Sequence, residues 1–407
     1  MKTTKTKILG GALLIIAFFS LPSCSSTKKF GRGRTREGDI SFVFAGDIMA
    51  HSNNFRPGNF DNIWRDISPL LRSVDLAFAN VEAPVANSIE WSSYPKFNMH
   101  SEYVEAAIKA GFNVFSLANN HTNDQSVQGI KETRNYFSSR NDIWACGLKA
   151  QKNDGITYKV IEKTAADGSE WKILFVAITE LLNNNADDSE WIDYYPSTIS
   201  ARARIKSDLK QLARSQPHDV FIASVHTDEP EYILDITEDH KNFFTELVND
   251  CGVDIVWANH PHVTKPWEKI PTNRLDKNDG FIMYANGNTI SGQRTNPSFT
   301  EPETARDYTG DGVIIKVKLH REEHEIQKIV ETSSTEELGE SEAVTVERVL
   351  VSSYEPHFIT TYISPSKQYV VKSLDNSFIQ ALDRSEISNW ATYLSERKKI
   401  MERLLHK

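Results

Sequence analysis

The chain has 407 residues, enough for one large domain or two medium ones. A hydrophobic fraction of 39% and a charged fraction of 25% fit an ordinary globular body, and three cysteines give no disulfide framework. The net charge of −9 argues against a nucleic-acid partner, which wants a basic field, but not against a metal site that binds anions locally.

The first elements concern targeting. Lys2, Lys5 and Lys7 precede a short apolar stretch at 8–21, the length of a signal h-region rather than of a comfortable membrane span. Leu21-Pro22-Ser23-Cys24, followed by Ser25 and Ser26, resembles a bacterial lipobox. Residues 1–23 are thus expected to be a lipoprotein signal peptide, with Cys24 lipidated and the mature protein exported and lipid-anchored to the cell envelope. An ordinary cleaved signal with an incidental cysteine and an uncleaved signal anchor are the alternatives. Residues 24–40 are basic, polar and rich in small side chains, and read as a flexible tether.

From residue 41 one pattern recurs: a short apolar run stops abruptly at ligand-type side chains. Run 41–45 meets Gly46-Asp47, 76–79 meets Asn80-Val81-Glu82, and 114–118 meets Asn119-Asn120-His121. Run 219–225 meets His226, 253–258 meets Asn259-His260-Pro261-His262, and 281–284 meets Ala285-Asn286-Gly287-Asn288. Helical periodicity separates them at 101–110 (Ser101 as N-cap, Gly111 as stop), 200–215 and 237–251 (Thr237 before an acidic first turn). Further strands are expected at 171–179 and 313–319. Residues 320–345 read as a charged, solvated loop. Beyond it, two β-like runs (349–352 and 369–372) and a final helix from about 385 form an appendage without chemistry. Short buried strands alternating with helices predict an α/β architecture, whose ligand site forms at the carboxyl ends of the strands.

That is where the candidate ligands lie. A two-metal hydrolase needs carboxylates, an amide oxygen and neutral imidazoles converging on ions roughly 3.5–4 Å apart. The chain offers Asp47, Glu82, Asn120, His121, His226 and the pair His260/His262. A strand-end HxH is expected to place both rings on one side of the backbone, because residues i and i+2 point the same way.

The order of these groups resembles the calcineurin-like metallophosphoesterases, and most closely their CapA branch, the poly-gamma-glutamate capsule biosynthesis proteins. FAGDIM, ANVEAP, GFNVFSLANNHTND, GVDIVWANHPHVTKPWE and MYANGN carry the resemblance. It implies a four-layer α/β/β/α sandwich over residues 41–320, with a small C-terminal extension at 321–407. It further implies that Asp47 binds the first of two divalent ions (Mn, Zn, Fe or Mg) and that Glu82 bridges both. Asn120, His226 and His260 would bind the second ion, and His262 would return to the first. His121 would protonate the leaving group or donate to a phosphoryl oxygen.

Departures from the family pattern count as well. Met49 stands where many members of the wider superfamily carry a histidine, and His51 is a candidate substitute. The fourth motif is His226-Thr227-Asp228-Glu229-Pro230-Glu231-Tyr232 rather than His-Trp-Gly, and the late segment is Gly287-Asn288-Thr289.

Glu231 and Tyr232 are candidate substrate contacts, and Arg294 is a candidate partner for an anionic substrate. Asn80 and Asn119 read as turn formers or supporting donors. Asp124 either caps a helix or orients His121. Cys146 and Cys251 read as buried free thiols, and the tryptophans as core or rim.

Two functions are compatible with this constellation. One is an envelope hydrolase of a phosphoester or an anionic capsule-polymer linkage. The other is a non-catalytic component of capsule polymer synthesis or export, partnered by the machinery of that process.

Overall fold

A computed structural model describes residues 39–165, 168–183, 186–271, 277–329, 341–385 and 387–406. The signal, Cys24 and nearly all of the tether lie outside the described residues. Among the described residues no helix is long and apolar enough to cross a membrane.

The apolar runs form strands. In chain order they are β1 (Ile40–Ile48), β2 (Leu76–Val81), β3 (Val114–Ser116), β4 (Trp144–Cys146), β5 (Tyr158–Thr164), β6 (Glu170–Thr179) and β7 (Val220–His226). There follow β8 (Ile255–Asn259), β9 (Trp267–Ile270), β10 (Gly280–Met283), β11 (Asn288–Ile290), β12 (Asp311–Ile329), β13 (Ser341–Ile363) and β14 (Tyr369–Ser373). One sheet runs β14-β13-β12-β1-β2-β3-β4, with β11 also pairing β1; the other runs β5-β6-β7-β8-β10-β9. The central strands β1 to β3 and β6-β7-β8-β10 are parallel and buried on both faces, which is why their sequences are nearly continuous apolar runs; β4 pairs parallel to β3 at the sheet edge.

Helices cover the outer faces. Three single turns, α1 (Ser52–Phe55), α2 (Asp61–Trp64) and α3 (Ser68–Leu71), precede α4 (Ser101–Ala110) and α5 (Ser126–Ser138). Then come α6 (Ile199–Ser215), α7 (Glu238–Asp250), the single turn α8 (Ala305–Tyr308), α9 (Asn376–Arg384) and α10 (Ser388–Glu402). Val43, Ala77 and Phe115 pack outward against Tyr103, Val104 and Ala107 of α4 and Ile130 and Phe137 of α5. Leu174, Phe221 and Val256 pack against Leu209 of α6 and Phe243, Phe244 and Leu247 of α7.

Between the sheets, Phe42, Phe44 and Phe78 meet Phe175, Ile222 and Trp257. The alternation of Phe42 and Phe44 inward with Val43 outward is the two-residue pleat of a strand. Phe44 stacks on Phe78 at 4.6 Å, a contact worth about 0.5–1.5 kcal/mol beyond area burial. The Trp257 indole donates to the Ala45 carbonyl at 2.8 Å, joining the two sheets just below their carboxyl ends. The expected α/β/β/α layering is present.

Several details differ from the sequence expectation. Residues 320–345 are not a loop throughout: β12 continues to Ile329 and pairs antiparallel with β13 from Ser341 onward, while 330–340 lie outside the described residues. Strand pairing here needs no apolar face, and opposed charges such as Glu322 and Arg348 (3.2 Å) support it. The boundary placed at residue 320 therefore falls inside a strand. His100, not Ser101, occupies the N-cap position of α4. Thr237 caps α7 as expected, its hydroxyl accepting from the His240 amide. The final helix is α10, preceded by the separate α9, and both pack on Tyr362 and Val370.

Candidate metal centre

Parallel register brings the ligand candidates together. Asp47 aligns with Asn80 of β2 and Asn288 of β11, while His226 aligns with Thr179 of β6 and Asn259 of β8. Asn80 links the two sheets: its amide donates to Asp47 Oδ1 at 2.8 Å and lies 3.4 Å from His226 Nδ1. Strand β1 is tightly packed against the β10–β11 loop at Gly46, just before Asp47. A Cβ on Gly46 would lie 1.8 Å from the Gly287 carbonyl oxygen, so only glycine fits there. The Gly46 amide donates to Thr289 Oγ1 at 2.8 Å, which gives the departure from the family pattern at that position a role.

The geometry resolves into two groups that share one residue. Asp47, Glu82 and His262 offer ligand atoms mutually within 4.8 Å, and so do Glu82, His226 and His260. Glu82 Oε1 lies 3.7 Å from His226 Nε2 and 3.6 Å from His262 Nε2, between the two groups. Asn120 joins the second: its Oδ1 is 2.9 Å from His226 Nε2, which is 3.2 Å from His260 Nδ1. His262 Nδ1 is 3.3 Å from Asp47 Oδ2 and 3.1 Å from Asn288 Oδ1.

The residues fit divalent cations. Glu82 is fully buried, yet neither of its oxygens has a hydrogen-bond partner. A buried carboxylate without donors is costly, and a cation is the ordinary remedy. Without one, burial and then the neighbouring Asp47 hold the Glu82 carboxyl well above its usual range. Burial, followed by the charges of His260 and His262, holds His226 well below the usual imidazole range. Burial and His262 push His260 down to about 4. The His226 and His260 rings are therefore neutral at physiological pH, the form that ligates a metal. Mixed carboxylate, amide and imidazole donors suit first-row divalent ions.

His121 borders this centre. Its Nδ1 is 2.7 Å from Asp124 Oδ2, and Phe97 packs edge-on at 4.7 Å. Asp124 therefore orients His121; helix α5 has no side-chain cap, and Gln125 stands at its N-cap position. A cavity of about 400 Å³ opens from His121 and His262 and is lined also by Met49, His51, Tyr94, Glu231, Tyr232, Gly292, Gln293, Thr295 and Arg306. Glu231 and Tyr232 thus stand where substrate contacts were expected.

Three expectations change. Arg294 does not reach the cavity: it is 1% exposed, paired with Asp311 at 2.8 Å and packed against Tyr393. The guanidinium in the cavity wall is that of Arg306. His51 does not replace the imidazole missing at Met49; it lines the cavity but belongs to neither ligand group. The His260/His262 rings do not converge through a strand pleat. Both residues lie beyond β8 with positive φ (110° and 57°), so a strained turn directs them inward.

Asn80 and Asn119 act as supporting donors, Asn119 donating to the Val81 carbonyl at 2.8 Å. Asn183, whose amide lies 3.3 Å from His121 Nε2, was not anticipated, nor was the contact of Asn288 with His262. The Gly-Asn motif at the end of β10 is the only sequence signal that points to either. Cys146 and Cys251 are buried free thiols. Trp64, Trp171 and Trp257 are core.

The profile described as bacterial capsule synthesis protein PGA_cap matches residues 41–293. The PGA biosynthesis protein CapA of Bacillus subtilis (strain 168) is 25% identical over 302 residues, covering 69% of this chain and 72% of that protein. The capsule biosynthesis protein CapA of Bacillus anthracis is 26% identical over 303 residues, covering 70% and 68%. A solved structure of the calcineurin-like phosphoesterase YfkN from Bacillus subtilis aligns with 88% of this chain and 100% of its own, at 12% identity and a TM-score of 0.35. With the profile spanning more than half of the sequence, this chain belongs to the bacterial capsule synthesis protein PGA_cap family.

Proposed function

We propose that this protein is an envelope-anchored hydrolase that uses two divalent cations to cleave a phosphoester or another anionic polymer linkage. Glu82 carries this reading: it is fully buried, unbonded at both oxygens and shared by two ligand groups. Asp47, Glu82 and His262 would hold one cation, and Glu82, Asn120, His226 and His260 the other. Bound there, the cations would supply water activation at neutral pH and a sink for negative charge.

The chain's own groups do the rest. Asp124 holds the His121 Nδ1 proton, so that His121, once a second proton is on Nε2, can deliver that proton to the leaving oxygen and return to its neutral form. Glu231 and Tyr232 border the path of the substrate into the cavity. The signal-like N-terminus and Cys24 support export and lipid anchoring. The names of the two Bacillus relatives favour a capsule polymer as substrate and the capsule synthesis or export machinery as partner.

One observation favours a second role, as a non-catalytic component of capsule synthesis or export. Met49 is buried beside the first ligand group and offers it no imidazole. Elemental analysis, paired with hydrolysis of bis(p-nitrophenyl) phosphate, separates the two. The hydrolase predicts two ions per chain and a loss of about 10²–10⁴-fold in His121→Ala with metal content unchanged. Absence of both metal and hydrolysis in the unaltered protein assigns the second role.

A further inference from the structure

Two cavity-lining side chains play no part in the chemistry derived so far. His51 is the first. Its Nδ1 accepts a hydrogen bond from the Gly292 amide at 3.1 Å, which places the ring proton on Nε2. Among the described residues no protein group bonds that Nε2. The ring is firmly held: Phe97 packs against it at 4.9 Å, and a Cβ on Gly292 would lie 2.6 Å from His51 Cβ. A neutral N–H donor is thus fixed in the cavity wall. Burial, reinforced by the charges of His262, His121 and Arg306, lowers the His51 pKa to about 3, so the donor stays neutral at every ordinary pH.

Arg306 is the second. Its guanidinium lies over the Tyr232 ring at 4.8 Å and donates to the Tyr232 hydroxyl at 3.4 Å. No ion pair joins it to a carboxylate among the described residues. Tyr232 in turn lies 6.2 Å from the His262 ring, so cation, phenol and candidate metal ligand form one stack. Glu231 is the carboxylate of this wall. The groups that favour its ionised form against burial are Tyr232, His262, His260 and His121, not Arg306.

Arg306 is also positioned from behind. It sits on α8, where Asp307 closes a capping box with Thr304 and accepts from the Tyr393 hydroxyl of α10 at 2.6 Å. Arg397 of α10 donates to the Pro302 carbonyl at 2.6 Å. The C-terminal extension, expected to be without chemistry, clamps the segment that carries this cation.

We propose that the His51–Arg306 wall is a second anion subsite, which binds a carboxylate or phosphate of the substrate other than the group being cleaved. A neutral imidazole N–H and a guanidinium that line one cavity are both donors to the oxygens of such a group, and bonds from the guanidinium are charge-assisted and strong. The subsite rests on the hydrolase reading only in taking this cavity as the substrate's. A polymer with a charge on each repeat would be gripped one unit away from the reacting bond, whereas an isolated phosphoester would not.

The test is calorimetric titration of the full chain in mild detergent with glutarate and, separately, methyl phosphate, with metal content measured on the same samples. At least one anion binds, and Arg306→Gln weakens it about tenfold. His51→Phe, which keeps a ring on Gly292 and Phe97 but loses the donor, weakens it several-fold, and His51→Gln restores part of the loss. Whether glutarate or methyl phosphate suffers more identifies the anion. Failure of both anions to bind, or affinities unchanged in Arg306→Gln and His51→Phe, overturns the subsite. Should His51→Phe not fold, Arg306→Gln at its exposed position decides alone. Anion binding that depends on Arg306 in protein without metal would sink the hydrolase reading and leave the subsite standing.

Discussion

Among the described residues, the buried charge clusters around Asp311 and around Glu82 are finished differently. Around Asp311 every carboxylate oxygen is taken. Oδ1 accepts from Arg294 at 2.8 Å and Thr360 at 2.7 Å, and Oδ2 accepts from Arg397 at 2.6 Å. Around Glu82 neither oxygen is taken. The first cluster joins the body to the C-terminal helices, and its carboxylate is satisfied by the chain itself. The second is built from residues of equal burial, and they are grouped as metal ligands could be. Depth of burial therefore does not distinguish the two carboxylates; whether their oxygens are met by donors does.

The contrast breaks most visibly at Asp311. Asp311→Ala leaves Arg294 and Arg397 buried with no counter-ion and should cost about 3–5 kcal/mol in denaturant unfolding. Metal content per folded chain should not change. A loss well under 1 kcal/mol would show that the cluster is not the clamp its bonding implies.

A third cluster sharpens the comparison through pH. His240 on α7 contacts Glu180 at 2.7 Å and Asp228 at 3.3 Å, beside Arg202 at 3.0 Å from Glu180. Burial alone would lower the His240 pKa, but hydrogen bonds to Asp228 and Glu180 and the charges of Glu180 and Glu229 raise it to about 9. Its folded value thus exceeds the unfolded one. The stability it contributes is complete below about pH 6.5 and is lost as pH rises through about 9, on the order of 3 kcal/mol in all. Thermal midpoints between pH 6 and 10 should fall accordingly, and His240→Gln should flatten the decline. An equal decline in that variant removes His240 as its cause.

Cation removal comes next in size. A cation bound only by the folded state, at a free concentration one hundred times its dissociation constant, contributes about 2.7 kcal/mol. A chelator should lower the midpoint of the unaltered protein by the corresponding amount and reversibly. The same decrement should persist in Arg306→Gln, whose position ligates nothing.

Much of this was legible in the sequence, for a definite reason. Parallel strands buried on both faces read as unbroken apolar runs, and each run ends where the backbone reaches the site. Asp47, Glu82, Asn120, His226 and the two late histidines could therefore be grouped before any coordinate was known. What could not be read depends on side-chain direction set by distant packing. Arg294 and Arg306 are alike in sequence, but Asp311, Thr360 and Tyr393 draw the first inward, while Asp307 pins α8 so that the second faces the cavity. The positive φ of His260 and His262 has only a weak local signal, since neither is glycine and histidine merely enters that region more often than most side chains. The β12–β13 ribbon was missed because its charged side chains hide a backbone ladder that needs no apolar alternation.

The smallest expected effect is also the most discriminating. In cation-free protein, burial and Asp47 push the Glu82 carboxyl well above its usual range, which favours its uncharged form. Glu82→Gln then exchanges one neutral planar group for another of nearly the same size. Unfolding of the chelated variant should match that of the chelated parent within about 1 kcal/mol. With cations present the two should part, because the amide cannot supply an anionic bridge to both ligand groups, and the variant should lose the chelator-sensitive increment. If Glu82→Gln instead unfolds the chelated protein as Asp311→Ala does, Glu82 is held by its own chain, and the distinction between the two clusters disappears.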